Sequence, residues 1–190
     1  VAARLRRAAR IADVGCGSAH TTHLLARAFP RSTFIAIDDA SAALRMARAE
    51  ARAWGLTNVE HVRGTIERVT EFGPFDAVTM FDAIHDLADP PAALRAVARS
   101  LKPGGILFAE EPRASSRLEA NLGTPGAAFL YGVSVSYCLP VSLARGSAGL
   151  GAAWGIERAR RLLHASGFHR VETHDAPANS LAVLYVARRR

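Results

Sequence analysis

Short apolar runs alternate with alanine-rich amphipathic stretches over the first 111 residues, and this alternation restricts the fold more than any other feature of the chain. RIADV (10–14), STFIAID (32–38), NVEHV (58–62), FDAVTMF (75–81) and ILFAEE (106–111) read as strands. HTTHLLARAF (20–29), SAALRMARAEARAW (41–54) and PPAALRAVARSL (90–101) read as helices. Gly55 follows the second helix as a C-cap, and the prolines of the third stand where a first turn tolerates them. The turn KPGG (102–105) then leads into the fifth strand. Consecutive strands joined by helical crossovers must run parallel, which makes this region a doubly wound α/β sheet. Ligands of such sheets sit beyond the carboxyl ends of the strands. Asp13, Asp38, Asp82 and Glu110 all fall at such ends.

The pattern breaks from about 112 to 155, a stretch rich in Gly, Ser and aromatics. An insertion of that length in a compact domain usually serves as a lid or pocket wall. GIERARRLLHASGF (155–168) restores a helix, and HRVETH (169–174) and SLAVLYVAR (180–188) read as closing strands. The link DAPANS is short enough for a hairpin, so the last strand is expected to be antiparallel. The predicted fold is a Rossmann-like, doubly wound, mostly parallel seven-stranded sheet with a C-terminal antiparallel hairpin strand, formed by residues 1–190 as one domain. VAARLRRAAR (1–10) reads as the tail of a helix with no initiator Met, and the expectation is that an N-terminal domain precedes it.

The net charge of +7 invites a nucleic-acid reading, which its distribution answers. Arg4, Arg6, Arg7 and Arg10 at one end and Arg188, Arg189 and Arg190 at the other match the whole excess. No aromatic residues interleave with either cluster, so a nucleic-acid partner is not expected. The two cysteines, Cys16 and Cys138, form neither a disulfide framework nor a zinc pattern. His20 and His23 stand three apart on a helix with no third ligand nearby in sequence, and no metal is expected. No apolar run is read as long enough to span a membrane and no signal peptide opens the chain, so a cytoplasmic protein without a membrane partner is expected.

The stretch IADVGCGSAH (11–20) places an acid and two glycines where a strand hands over to a helix. Glycine there lets a ligand come close to the main chain. A dinucleotide fingerprint would close with Gly or Ala where His20 stands, and Asp13 is a poor neighbour for a pyrophosphate, which disfavours a nicotinamide oxidoreductase. Instead, ADVGCGSA resembles motif I of class I S-adenosylmethionine-dependent methyltransferases. FIAID is similar to that family's second motif, and FDAVTMFDAIHDLADPPAALRAVARSLKPGGILFAEE to its fourth and fifth strand region. FLYGVSVSYCLPVSLARGSAGLGAAWG is similar to a bacterial group in which such a domain follows an N-terminal winged-helix-like domain. That resemblance implies a missing N-terminal domain and homodimerisation through it.

The resemblance implies S-adenosylmethionine as cofactor and S-adenosylhomocysteine as product. Gly15, Cys16 and Gly17 would seat the amino acid end, with Asp13 favouring its ammonium group. Asp38 would take the ribose diol; Asp39 joins the same site, or caps the following helix, or meets solvent. Thr65 and Ile66 would meet adenine, and Phe81 would complete the cofactor site. Two positions depart from the family pattern: Ala19 replaces the third glycine, and Thr65 stands where an acid often holds the adenine amino group. A thiol inside motif I is not expected to be reactive.

His85 in FDAIHD is the candidate general base, with Asp82 or Asp86 orienting it. His85 and Asp82 as mere walls of the cofactor pocket are an equal alternative. Glu110 and Glu111 end a strand, where substrate contact and plain exposure explain them equally. Phe129, Tyr131, Tyr137 and Trp154 would line an apolar pocket. The leading expectation is methyl transfer to a small, hydrophobic acceptor. The alternative is a non-catalytic regulatory domain that keeps the fold and binds cofactor or a lipophilic ligand.

Overall fold

The computed structural model describes residues 5–144, 146–176 and 181–190. Its strands are β1 (Arg10–Val14), β2 (Thr33–Asp38), β3 (Val59–Arg63), β4 (Phe75–Phe81), β5 (Leu101–Pro112), β6 (Phe168–Asp175) and β7 (Ala182–Arg189). The helices are α1 (His20–Ala28), α2 (Ser41–Ala53), α3 (Val69–Phe72), α4 (Pro90–Ser100), α5 (Ala127–Val133), α6 (Leu139–Ala144) and α7 (Ile156–Ala165). The strands form one mixed sheet in the order β3-β2-β1-β4-β5-β7-β6, mostly parallel with antiparallel C-terminal strands. This is the Rossmann-like arrangement expected from the alternation.

The chain divides into two compact units. The first runs up to Met80 and adds Ala96–Leu107 and Arg189; the second holds Phe81–Arg95, Phe108–Arg188 and Arg190.

In the first unit, β1 pairs in parallel with both β2 and β4. Four of its five residues are buried, as befits a strand covered on both faces. The register sets Asp13 opposite Ala36 on one side and Thr79 on the other. Helix α2 is built from strong helix formers and buries Leu44, Ala47 and Ala51 along one stripe. It ends where Gly55 adopts φ +65°, while the Leu56 amide donates to the Ala51 carbonyl at 2.9 Å.

The second half of the chain departs from the sequence reading in two places. The turn expected at KPGG is instead part of β5, which begins at Leu101 and absorbs Gly104 at φ +69°. The irregular insertion is largely helical: a 3₁₀ turn at Leu118–Asn121, then α5, a π turn at Ser134–Cys138, and α6. Ala127–Ala144 is thereby one helical run of 18 residues, few of them buried, long and apolar enough to cross a membrane by length and composition. That corrects the reading that no apolar run reaches such a length. Residues 1–4 of the expected helix tail and 177–180 of the DAPANS link lie outside the described residues; of the tail, Leu5 and Arg6 are helical before β1 begins at Arg10.

Candidate active site

The carboxyl ends of β1, β2 and β3 meet within the first unit. After Val14 the chain turns through Gly15 at φ +71° and Gly17 at φ +54°, conformations that suit glycine and strain other residues. The amides of Gly15 and Cys16 both donate to the Ile37 carbonyl, at 2.9 and 3.2 Å. The Gly17 amide donates to Asp38 Oδ2 at 2.7 Å, and the Ala40 amide to Asp38 Oδ1 at 2.8 Å. The Gly64 amide reaches the Asp38 carbonyl at 3.0 Å, bringing the turn after β3 into the cluster. A Cβ built on Gly17 would meet nothing within 4 Å, so this backbone faces open space. An open glycine turn beside a carboxylate fits a ligand with an amino acid end and a ribose diol.

The other expected cofactor residues are placed as follows. Asp13 is 3% exposed, and both its oxygens accept hydroxyl protons, one from Thr22 and one from Thr79 at 2.8 Å. Burial pushes its pKa up to about 6 against the pull of those hydroxyls. Asp13 therefore anchors α1 and β4 beneath the glycine turn rather than offering an open carboxylate to an ammonium group. Asp39 is exposed, and α2 has no side-chain cap, so the expected capping is replaced by the Asp38 bond to the Ala40 amide. Thr65 is exposed and Ile66 buried at the 3₁₀ turn after β3. Burial, with Asp13 and Asp38 nearby, raises the Cys16 thiol far above its ordinary pKa, in keeping with an unreactive sulfur.

Ala19 is buried in the left-handed region at φ +56°, with Ala36 and Ala47 in its core cluster. A glycine would adopt that conformation without strain. His20 and His23 do face one way, but toward a shared carboxylate: His20 Nδ1 lies 2.8 Å from Glu50 Oε1 and His23 Nδ1 2.5 Å from Glu50 Oε2. His23 Nε2 meets His61 Nε2 at 2.9 Å.

The second unit carries the candidate catalytic residues. His85 is 2% exposed in the 3₁₀ turn Ile84–Asp86, and its Nδ1 lies 2.8 Å from Glu111 Oε2. A carboxylate only accepts, so Nδ1 carries the proton. The same carboxylate accepts the amides of Ala83 (3.1 Å) and Ile84 (2.7 Å) and the indole N–H of Trp154 (3.1 Å). The expected orienting acid, Asp82 or Asp86, is thus corrected to Glu111; Asp86 Oδ1 stands 3.6 Å from Nε2, beyond hydrogen-bond reach. Asp82 is 74% exposed on its side chain and 3.8 Å from Nδ1, while Glu111 holds the ring. Asp82 instead takes φ +53° at the end of β4, its amide donating to the Glu110 carbonyl at 2.8 Å. Burial alone would lower the His85 pKa; the Glu111 bond and charge, with Asp86 and Asp82, outweigh it and hold the ring above its ordinary value.

A cavity of about 280 Å³ opens here, with Asp82, His85, Glu110, Phe129, Leu130 and Cys138 among its lining residues. Of the four expected aromatics only Phe129 lines it. Trp154 is buried behind it on Glu111, Tyr131 accepts a hydrogen bond from Asn121 at 2.9 Å, and Tyr137 is exposed. Phe81 stacks edge-on with Phe108, their centroids 6.0 Å apart.

Residues 5–128, more than half of the chain, match the profile of a family described as a methyltransferase domain. The chain belongs to that family. A trans-aconitate 2-methyltransferase from Deinococcus radiodurans is 34% identical over 104 residues, covering 55% of this chain and 38% of that protein. A ubiquinone biosynthesis O-methyltransferase from Xanthomonas oryzae pv. oryzae is 40% identical over 114 residues, covering 57% and 45%. The chain therefore spans less than half the length of these curated relatives. Among solved structures, an O-methyltransferase family protein from Burkholderia thailandensis superposes with TM-score 0.76 at 19% identity, over 97% of this chain and 52% of that one. The [4+2]-cyclase SpnF superposes with TM-score 0.69 at 19% identity, over 96% and 74%. These likenesses establish the fold. Family membership implies S-adenosylmethionine as cofactor, and the open turn at Gly15–Gly17 with Asp38 fits it.

Proposed function

We propose that this chain moves the methyl group of S-adenosylmethionine to a small, hydrophobic acceptor, with His85 taking the proton that the acceptor gives up. The observation that carries the reading is His85 itself, a buried imidazole fixed on one nitrogen by Glu111 at 2.8 Å and lining an apolar cavity. S-adenosylmethionine, when bound, supplies a sulfonium-activated methyl group for in-line displacement. The backbone of Gly15, Cys16 and Gly17 and the Asp38 carboxylate would hold it, with Asp39, Thr65, Ile66 and Phe81 as further contacts. Asp13 acts through the shape of the turn. Glu111 keeps the His85 proton on Nδ1, which leaves Nε2 as the basic nitrogen. A relative named as an O-methyltransferase favours an oxygen acceptor, whose proton such a base would remove.

The test is transfer of a labelled methyl group to a panel of hydrophobic phenols and carboxylic acids. The expected result is turnover that His85→Ala lowers by about 100-fold or more, while S-adenosylhomocysteine affinity stays unchanged. Full activity in His85→Ala would remove the base. Saturable S-adenosylhomocysteine binding with no turnover on any acceptor would favour the regulatory-domain reading.

A further inference from the structure

The Glu111 bond leaves His85 Nε2 without a hydrogen-bond partner among the described residues, and that nitrogen faces two other ligand-type atoms. Asp86 Oδ1 lies 3.6 Å from it. These two atoms and the Cys138 sulfur all lie within 4.8 Å of one another. Asp86 Oδ1 is buried and meets no hydrogen-bond partner among the described residues. An orphaned buried carboxylate oxygen calls for a donor or a cation. Cys138 is buried at the end of the π turn, a distortion that often marks functional sites.

We infer that His85 Nε2, Asp86 Oδ1 and Cys138 Sγ form a three-ligand site for a zinc-class divalent ion, its fourth position open to the adjoining cavity. Imidazole, carboxylate and thiolate are the donors zinc takes, at about 2.0–2.3 Å. Tetrahedral ligands at such bond lengths stand roughly 3.3–3.6 Å apart, so the nitrogen–oxygen pair is already spaced for one ion. The Cys138 sulfur, within 4.8 Å of both atoms, would have to move closer to complete the set. The Glu111–His85 pair supplies the carboxylate–histidine support that metal-bound imidazoles generally have, fixing the tautomer with Nε2 free. The cavity contains both His85 and Cys138 in its wall, which gives the ion an entry path and room for a water molecule.

Binding breaks the Cys138 S–H bond, forms a metal–sulfur bond and releases the proton to solvent, with no change of oxidation state. The ion occupies the lone pair that a base would use, so metal binding and proton abstraction by His85 exclude each other. The methyl-transfer reading therefore belongs to the metal-free ring, and the two are tested separately, because the readout here is the metal–thiolate bond itself.

The test titrates the chelator-stripped chain with cobalt(II). The expected result is saturation at one equivalent, with a thiolate-to-cobalt charge-transfer band in the near ultraviolet, tetrahedral ligand-field bands in the visible, and displacement of both by zinc. Asp86→Asn should weaken binding about 10-fold or more, and Cys138→Ser should abolish the charge-transfer band. Cys16→Ser should keep it at full intensity, which locates the sulfur at Cys138 even if Cys138→Ser does not fold. Absence of a thiolate band in the folded wild type at millimolar cobalt overturns the site. So does a band that survives Cys138→Ser or is lost in Cys16→Ser.

Discussion

The two units build their candidate sites from different materials. In the first, the backbone makes the site: a glycine turn, two amides on one carbonyl, and Asp38 bracing the amides of Gly17 and Ala40. In the second, side chains make it: one buried carboxylate, Glu111, gathers His85, Trp154 and two amides from segments up to 43 residues away. A backbone site tolerates changes of side chain so long as the turn survives. A site hung on one saturated carboxylate depends on that carboxylate entirely.

The largest expected effect follows from this contrast. Glu111→Ala strands an imidazole, an indole N–H and two amides in a buried setting, and should destabilise the protein by about 3–5 kcal/mol. Asp38→Ala, at a half-buried turn where water can replace the carboxylate, should cost only about 1 kcal/mol. Chemical denaturation of the two variants checks the pair. Equal losses would dissolve the distinction.

The pH dependence sharpens the same comparison within the first unit. His61 has its pKa lowered from 6.5 to about 4 by burial, with His23 and Arg48 adding to the effect. Its folded state therefore favours the neutral ring, and its contribution to stability is present above 6.5 and lost as pH falls toward 4. Asp13, raised from 3.8 to about 6, acts the other way: its contribution is present below 3.8 and lost as pH rises through 6. His61→Gln keeps a partner for His23 and removes the first titration. Urea midpoints of that variant between pH 6.5 and 4 should fall less steeply than those of the wild type. An unchanged slope would mean that the His23–His61 contact does not govern acid sensitivity.

The smallest effect is at Ala19. Ala19→Gly relieves a left-handed conformation costing about 1–2 kcal/mol but loses a buried methyl worth about 0.8 kcal/mol and adds chain entropy to the unfolded state. The net change should be below about 1 kcal/mol. A loss much larger than that, read from thermal denaturation, would show that the methyl packing outweighs the strain.

The same contrast explains what is legible in the sequence. Gly15, Gly17 and Asp38 are readable because strand–turn–helix punctuation encodes backbone conformation locally, whereas the burial of Asp13 between Thr22 and Thr79 depends on partners distant in sequence. His85 stands out as a histidine at a strand end, but its partner does not, since Asp82 and Asp86 are nearer in sequence than Glu111. The alternation of β5 carries the missing signal: Leu107, Ala109 and Glu111 are buried in phase, so Glu111 points inward while Glu110 is half-exposed. The helical run of the insertion is obscured by Gly132, by Ser134, Ser136 and Ser142, and by Pro140. Its apolar residues meet the cavity on one side and stand exposed on the other, which blurs a helical period.

The central claim, an S-adenosylmethionine site built on the first unit's backbone and Asp38, is tested most directly by calorimetric titration with S-adenosylhomocysteine. Wild type should bind saturably, Asp38→Ala about 10-fold or more weaker, His85→Ala unchanged, and NADH should not bind. No binding at millimolar ligand, or equal binding by wild type and Asp38→Ala, would contradict it.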